Sequence, residues 1–145
     1  MPIRESRGIW KGTLKNGSGV MRIGKQGFEL DYSFPSRFEN GSGTNPEELI
    51  GAAHAGCFSM ALSLIIEEAG FTPSQIDTRA EVRLGKTDAG FAITRIALTT
   101  TGRVPGMTAD EFVRQAEKAK TGCPVSRALA GVEITLKATL AEGDG

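Results

Sequence analysis

One stretch constrains this chain more than any other: residues 45–70, NPEELIGAAHAGCFSMALSLIIEEAG. It reads as a long, mostly buried helix with one cysteine, Cys57, halfway along. Both ends are signalled. Asn45 can cap, Pro46 suits the first helical position, and Glu48 stands three residues after the cap. Gly70 and then Pro73 mark the stop. Ile50, Ala53, Cys57, Met60, Ala61 and Leu64 recur at helical spacing, and Phe58, Leu62, Ile65 and Ile66 widen that face nearly all the way round. A helix apolar on most sides is expected to be a core element wrapped by others. At about 1.5 Å per residue it would be roughly 36 Å long. Glu47, Glu48, His54, Glu67 and Glu68 are read as leaving no uncharged run of about 18 residues, which argues against a membrane span.

The flanking segments read mainly as strands. Residues 8–14, 19–23 and 28–32 are rich in β-formers, with Gly24-Lys25-Gln26-Gly27 as a hairpin turn. Residues 34–44, FPSRFENGSGT, read as a connecting loop of the kind that carries function. Residues 76–86 alternate, with Ile76, Thr78, Ala80, Val82 and Leu84 on one face. A turn at 87–90 leads into a second strand over 91–101, predicting an antiparallel hairpin. A second helix should start at Thr108, with Glu111 completing a capping box, run to about Lys120 and end at Gly122. Cys123-Pro124 opens a short helical turn, and a last strand alternates from Val132 to Leu140. The order βββ-α-ββ-α-β, with strands in hairpins, predicts an α+β fold of antiparallel sheets wrapped around the long central helix.

A length of 145 residues fits one domain, 1–145, with a real core. Lysine plus arginine and aspartate plus glutamate are both 17, and this lack of a basic excess argues against a nucleic-acid binder. The opening MPIRESRGIW has no apolar run resembling a signal peptide, so the expected location is cytosolic. Thiols there stay reduced, so the two cysteines are not expected to form a structural staple. With two cysteines and one histidine, His54, neither a zinc site nor a bound cofactor is expected.

The two cysteines stand in different contexts. Each could be a small buried hydrophobe. Cys123 lies at a helix start, in T-G-C-P-V-S, where unpaired backbone N–H groups favour a thiolate. Cys57, mid-helix among apolar neighbours, should have a raised pKa and react only if a cation reaches it. Arg37, in the 34–44 loop, is the candidate cation. His54 lies three residues before Cys57, about 60° away round the helix, and reads as a structural or interface histidine. Arg127 reads as a surface arginine.

NPEELIGAAHAGCFSMALSL, then EEAGFTP, DAGFAIT and AKTGCPVSRAL, resemble the osmotically inducible protein C (OsmC) family, which includes the organic hydroperoxide resistance proteins. The likeness covers nearly the whole chain, and SRFE resembles the OsmC branch. It implies a cysteine-based peroxidase acting on organic hydroperoxides and hydrogen peroxide in oxidative or osmotic stress. It also implies an intertwined homodimer with active sites at the subunit interface. By position, the resemblance makes Cys57 the peroxidatic cysteine, Cys123 the resolving cysteine, Arg37 the activating arginine and Glu47 the carboxylate that holds it. A Cys57 sulfenic acid and a Cys57–Cys123 disulfide follow from the resemblance, reduced by an external dithiol of lipoyl type or another small dithiol.

Ten residues of helix separate Glu47 from Cys57, about 15 Å. If Arg37 touches both, Glu47 is expected to come from the partner chain. Phe38, Ile50, Met60 and Phe112 are candidates for an apolar pocket wall and equally for core residues. Two alternatives remain open at this point: a cysteine hydrolase using Cys57 and His54, and a non-catalytic small-ligand module.

Overall fold

A computed structural model describes residues 1–142. The elements, in order, are β1 (Ser6–Lys11), β2 (Ser18–Ile23), β3 (Phe28–Tyr32), α1 (Phe34–Phe38), α2 (Pro46–Glu68), β4 (Gln75–Thr87), β5 (Gly90–Arg103), α3 (Ala109–Gly122), α4 (Pro124–Ala128) and β6 (Glu133–Leu140). The α+β class holds, and residues 34–38 are a short helix where a loop was expected. Ser33 explains that helix. Its hydroxyl accepts from the Ser36 amide, the Ser36 hydroxyl accepts from the Ser33 amide, and Pro35 supplies a pre-set φ in the first turn. The chain forms two compact units, the first being Met1–Leu49 and the second beginning at Ile50.

The first unit carries the antiparallel sheet β1-β2-β3. The hairpin turn closes through Gly24 and Gly27, both at positive φ, and the Gly27 amide donates to the Gly24 carbonyl. Gly19 pairs with Trp10 on one side and Tyr32 on the other. A side chain at Gly19 would strike both rings, whose centroids are 5.3 Å apart. Asn45 ties the start of α2 to α1. Its Oδ1 accepts from the Glu48 amide and its Nδ2 donates to the Ser36 carbonyl.

The second unit carries the sheet β4-β5-β6. β4 and β5 form the expected antiparallel hairpin, with an irregularity at Arg83/Leu84. β6 departs from expectation: it runs parallel to β5, Arg95 opposite Glu133 through Gly102 opposite Leu140. A parallel neighbour needs a long crossover, and α3 with α4 supplies it. Thr108 caps α3 by accepting from the Glu111 amide, and Phe112, Ala116 and Ala119 face the core.

The long helix is not buried all round. Its core stripe is His54, Phe58, Leu62 and Ile66, all fully buried, with Phe58, Leu62 and Ile66 in one cluster with Ile96, Leu98, Val104, Met107 and Phe112. Met60 and Leu64 instead are 77% and 56% exposed. Where nearly every position is apolar, periodicity cannot select the buried face. α2 is long and apolar enough to cross a membrane by length and composition, so the sequence-level exclusion does not stand. Its packing against the second sheet is what makes it a core helix of this unit.

Phe112, a candidate for a pocket wall, is instead a core residue lying on Gly102, where any Cβ would run into its ring. Gly102→Ala is therefore expected to destabilise the protein by about 1–3 kcal/mol through overpacking. The check is the denaturant midpoint at constant m-value. An unchanged midpoint would show that the ring can move aside.

Candidate functional site

The four residues singled out in the sequence form two pairs. The first lies in the first unit. Arg37, in the last turn of α1, closes on Glu47, in the first turn of α2. Arg37 Nη2 donates to Glu47 Oε1 at 2.8 Å, and Nε donates to Oε1 and Oε2 at 3.2 and 3.3 Å. The carboxylate is buried and the guanidinium is about one-third exposed, 8% against 35% for the side chains. Such a fork fixes the guanidinium plane and leaves its remaining N–H groups to other partners. The Arg37 guanidinium also lies 5.4 Å from the Phe38 ring centroid, and both residues line a cleft of about 180 Å³ with Trp10, Leu14, Tyr32, Ser33 and Phe34. Glu47 is thus supplied to Arg37 by the same chain. This pairing within one chain follows from α1 folding back onto the first turn of α2.

The second pair lies in the second unit. Cys57, half-buried on α2, and Cys123, fully buried, are free thiols near enough that each shifts the other's ionisation. Cys123 is the N-cap of α4, with Pro124 beginning the helix. Its Sγ accepts from the Ser126 amide at 3.3 Å, the place a serine or aspartate oxygen takes in an ordinary cap.

The two sulfurs differ in acidity. Burial pushes the Cys57 thiol up; the Val125 amide pulls the other way, and Cys123 adds to the rise. Burial also works to raise Cys123. It is outweighed by the Ser126 hydroxyl and amide, the Cys57 thiol and the Val125 amide, which leave Cys123 below the ordinary thiol value.

Two residues of this centre were not singled out as functional. His54 is fully buried, and its Nε2 lies 2.7 Å from Ser126 Oγ. Its Nδ1 has no hydrogen-bond partner among the described residues. The structural role expected for His54 holds in part: it reaches across to α4 rather than to a surface. Ser126 could have been found from its place three residues after an N-cap cysteine. Arg127 is exposed and lines a cleft of about 430 Å³ with Lys120, Thr121, Ser126, Ala130, Val132 and Ile134. Among the described residues, no group of three or more His, Cys, Asp or Glu is arranged to hold a metal ion.

An α+β chain that places one thiol at a helix start near a second thiol has the parts of a thiol-based redox protein. Its relatives narrow this further. Residues 39–137 match the family model described as OsmC-like protein. The chain is 54% identical over 135 residues to the Peroxiredoxin OsmC of Escherichia coli, covering 92% of this chain and 93% of that one. It is 35% identical over 101 residues to the Organic hydroperoxide resistance protein of Xanthomonas axonopodis pv. citri, covering 66% and 67%. The fold matches the crystal structure of an OsmC-like protein from Mycoplasma pneumoniae with a TM-score of 0.76 at 17% identity, covering 97% of this chain and 99% of that one. This protein belongs to the OsmC-like family.

Burial holds His54 below its ordinary value of 6.5. The unfolded chain therefore binds a proton near pH 6.5 that the folded chain refuses. Stability should be intact above that pH, fall as pH drops through 6.5, and level off below the folded pKa, with a slope of at most about 1.4 kcal/mol per pH unit. Denaturant unfolding at pH 7.5 and 5.5 should show a smaller loss for His54→Gln than for the parent. Equal losses would mean that the imidazole is not the source.

Proposed function

We propose that the protein is a thiol-dependent peroxidase that reduces organic hydroperoxides and hydrogen peroxide, with Cys57 as the attacking sulfur and Cys123 as the resolving one. The observation that carries this reading is that two free thiols, Cys57 on α2 and Cys123 at the start of α4, lie near enough to shift each other's ionisation. Only a thiolate attacks peroxide well. Cys57 displaces the alkoxide or hydroxide from the nearer peroxide oxygen, which leaves a sulfenic acid on sulfur and releases alcohol or water once protonated. The Cys123 thiolate then attacks that sulfur, the S–O bond breaks, hydroxide leaves and takes a proton from solvent to become water, and a Cys57–Cys123 disulfide remains. An external dithiol reduces it by exchange, and a lipoyl-type dithiol has the required chemistry. A cytosolic setting, where thiols are kept reduced, would recharge the centre.

Cys57 on its own is held in the thiol form by burial, so the chemistry needs a cation. The Arg37 guanidinium, oriented by Glu47, supplies one. A guanidinium closed on Glu47 is about 15 Å, ten residues of helix, from the Cys57 of the same α2. The pair therefore serves the Cys57 of a second copy, in a homodimer whose two sites each draw on both chains. A hydrolytic Cys57–His54 dyad has no support, because the imidazole gives Nε2 to Ser126 and Nδ1 has no hydrogen-bond partner.

Cys57→Ser should abolish hydroperoxide consumption with a dithiol, and Cys123→Ser should accumulate a sulfenic acid that dimedone traps. Full turnover in Cys57→Ser would overturn the reading. Arg37→Met should raise the pH at which Cys57 ionises and slow its oxidation roughly 100-fold, the scale of losing one preorganised charge stabiliser. Mixing and re-assembling Arg37→Met chains with Cys57→Ser chains should restore about a quarter of parent activity, because half the two-fold dimers then hold one complete site. No recovery would place Arg37 and Cys57 of one chain in the same site.

A further inference from the structure

His54 is fully buried, titratable, and not used by the steps above. It stands one helical turn from Cys57, but its hydrogen bond runs to Ser126 Oγ at 2.7 Å. Ser126 in turn faces the other thiol, with its amide donating to Cys123 Sγ at 3.3 Å. We propose that His54 is a positioning residue for Cys123: its Nε2–H donates to Ser126 Oγ and so commits the Ser126 hydroxyl proton to the Cys123 sulfur.

The direction of the chain follows from the orphaned nitrogen. Burial keeps the imidazole neutral, so it carries one ring proton. A proton on Nδ1 would leave a buried N–H with no acceptor, because Nδ1 has no partner. Placed on Nε2, it is given to Ser126 Oγ, and the unpaired atom is only a lone pair. The tautomer is assigned from this network. Ser126 Oγ, already accepting from His54, keeps its own proton for the sulfur. The hydroxyl and the amide of Ser126 both act to lower the Cys123 pKa. The titratable groups acting on that sulfur are Cys57 directly and His54 through Ser126, while Lys120 and Arg127 line the cleft that Ser126 borders.

The consequence concerns which sulfur leaves when the disulfide is reduced. This part rests on the peroxidase reading. A dithiol's thiolate can attack either sulfur, and the thiol of lower pKa leaves faster. With Cys123 held as the better anion, the attacking thiolate bonds to Cys57 Sγ, the S–S bond breaks, and its electron pair stays on Cys123. The second thiol of the reductant, deprotonated, then displaces Cys57 and closes the reductant's own disulfide. Hydrogen-bond donors on Cys123 thus direct the mixed disulfide to Cys57.

The test reads Cys123 by itself, in the Cys57→Ser background, from the pH dependence of its alkylation by iodoacetamide. Ser126→Ala and His54→Leu should each move the half-rate point upward and slow alkylation at pH 7 by about three- to tenfold, the loss expected for a pKa rise of half to one unit. The Ser126→Ala/His54→Leu double variant should lose no more than Ser126→Ala alone, since the two act in series. His54→Gln, whose side-chain amide can still donate to Ser126, should restore most of the rate. Half-rate points that stay in place in the folded Ser126→Ala protein, or an additive double variant, would overturn the proposal. Because no peroxide is used, this outcome is independent of whether Cys57 proves to be the peroxidatic sulfur. In the protein with both cysteines, one equivalent of a monothiol added to the disulfide form should be found by mass mapping on Cys57. Recovery mainly on Cys123 would overturn the leaving-group assignment.

Discussion

The contact between Cys123 and the first turn of α4 is the interaction on which the second unit's chemistry depends. A sulfur used as a helix cap meets the same N–H groups that an oxygen would meet, but it gains acidity as well as a hydrogen bond. The cap fixes where the sulfur sits, and Pro124 fixes where the helix begins. α2 then needs only to present Cys57 at the matching height. The core stripe of α2, from His54 to Ile66, sets that height by packing on the sheet, so the spacing of the thiols is inherited from the packing of the core.

The first unit solves a different problem with different means. An arginine is long and floppy, and a bidentate carboxylate removes most of that freedom. Glu47 can do this because it lies in the first turn of α2, where a negative charge is also favoured by the helix dipole. Asn45 holds α1 and α2 in register by bonding to both. The charged pair and the thiol pair are therefore each built by a helix start, one from side chains alone and one from backbone as well.

Much of this was legible in the residues. The caps at Asn45 and Thr108, the turn at Gly24–Gly27 and the alternation of β4 and β5 each have a local physical cause, and each element formed where that cause stood. The contrast between Cys57 and Cys123 was legible for the same reason. What could not be read was non-local. The direction of β6 depends on how far α3 and α4 carry the chain back along β5, which no window of sequence contains. The buried face of α2 is hidden because its apolar residues run all round. The His54–Ser126 bond spans 72 positions, and neither residue is unusual in its own surroundings. The short helix at 34–38 was missed although Ser33, Pro35 and Ser36 stood in the order a capped helix uses.

The parallel course of β6 has a consequence for the order in which the protein takes shape. The chain must travel from one end of β5 back to the other before β6 can dock, and Cys123 rides on that return segment. α2, β4 and β5 are neighbours in sequence and can associate early, whereas the return segment docks on them only after a longer loop has closed. During synthesis Cys57 emerges first and waits alone. The sulfurs therefore meet only once the return segment has docked on α2, so their juxtaposition follows the closure of that long loop.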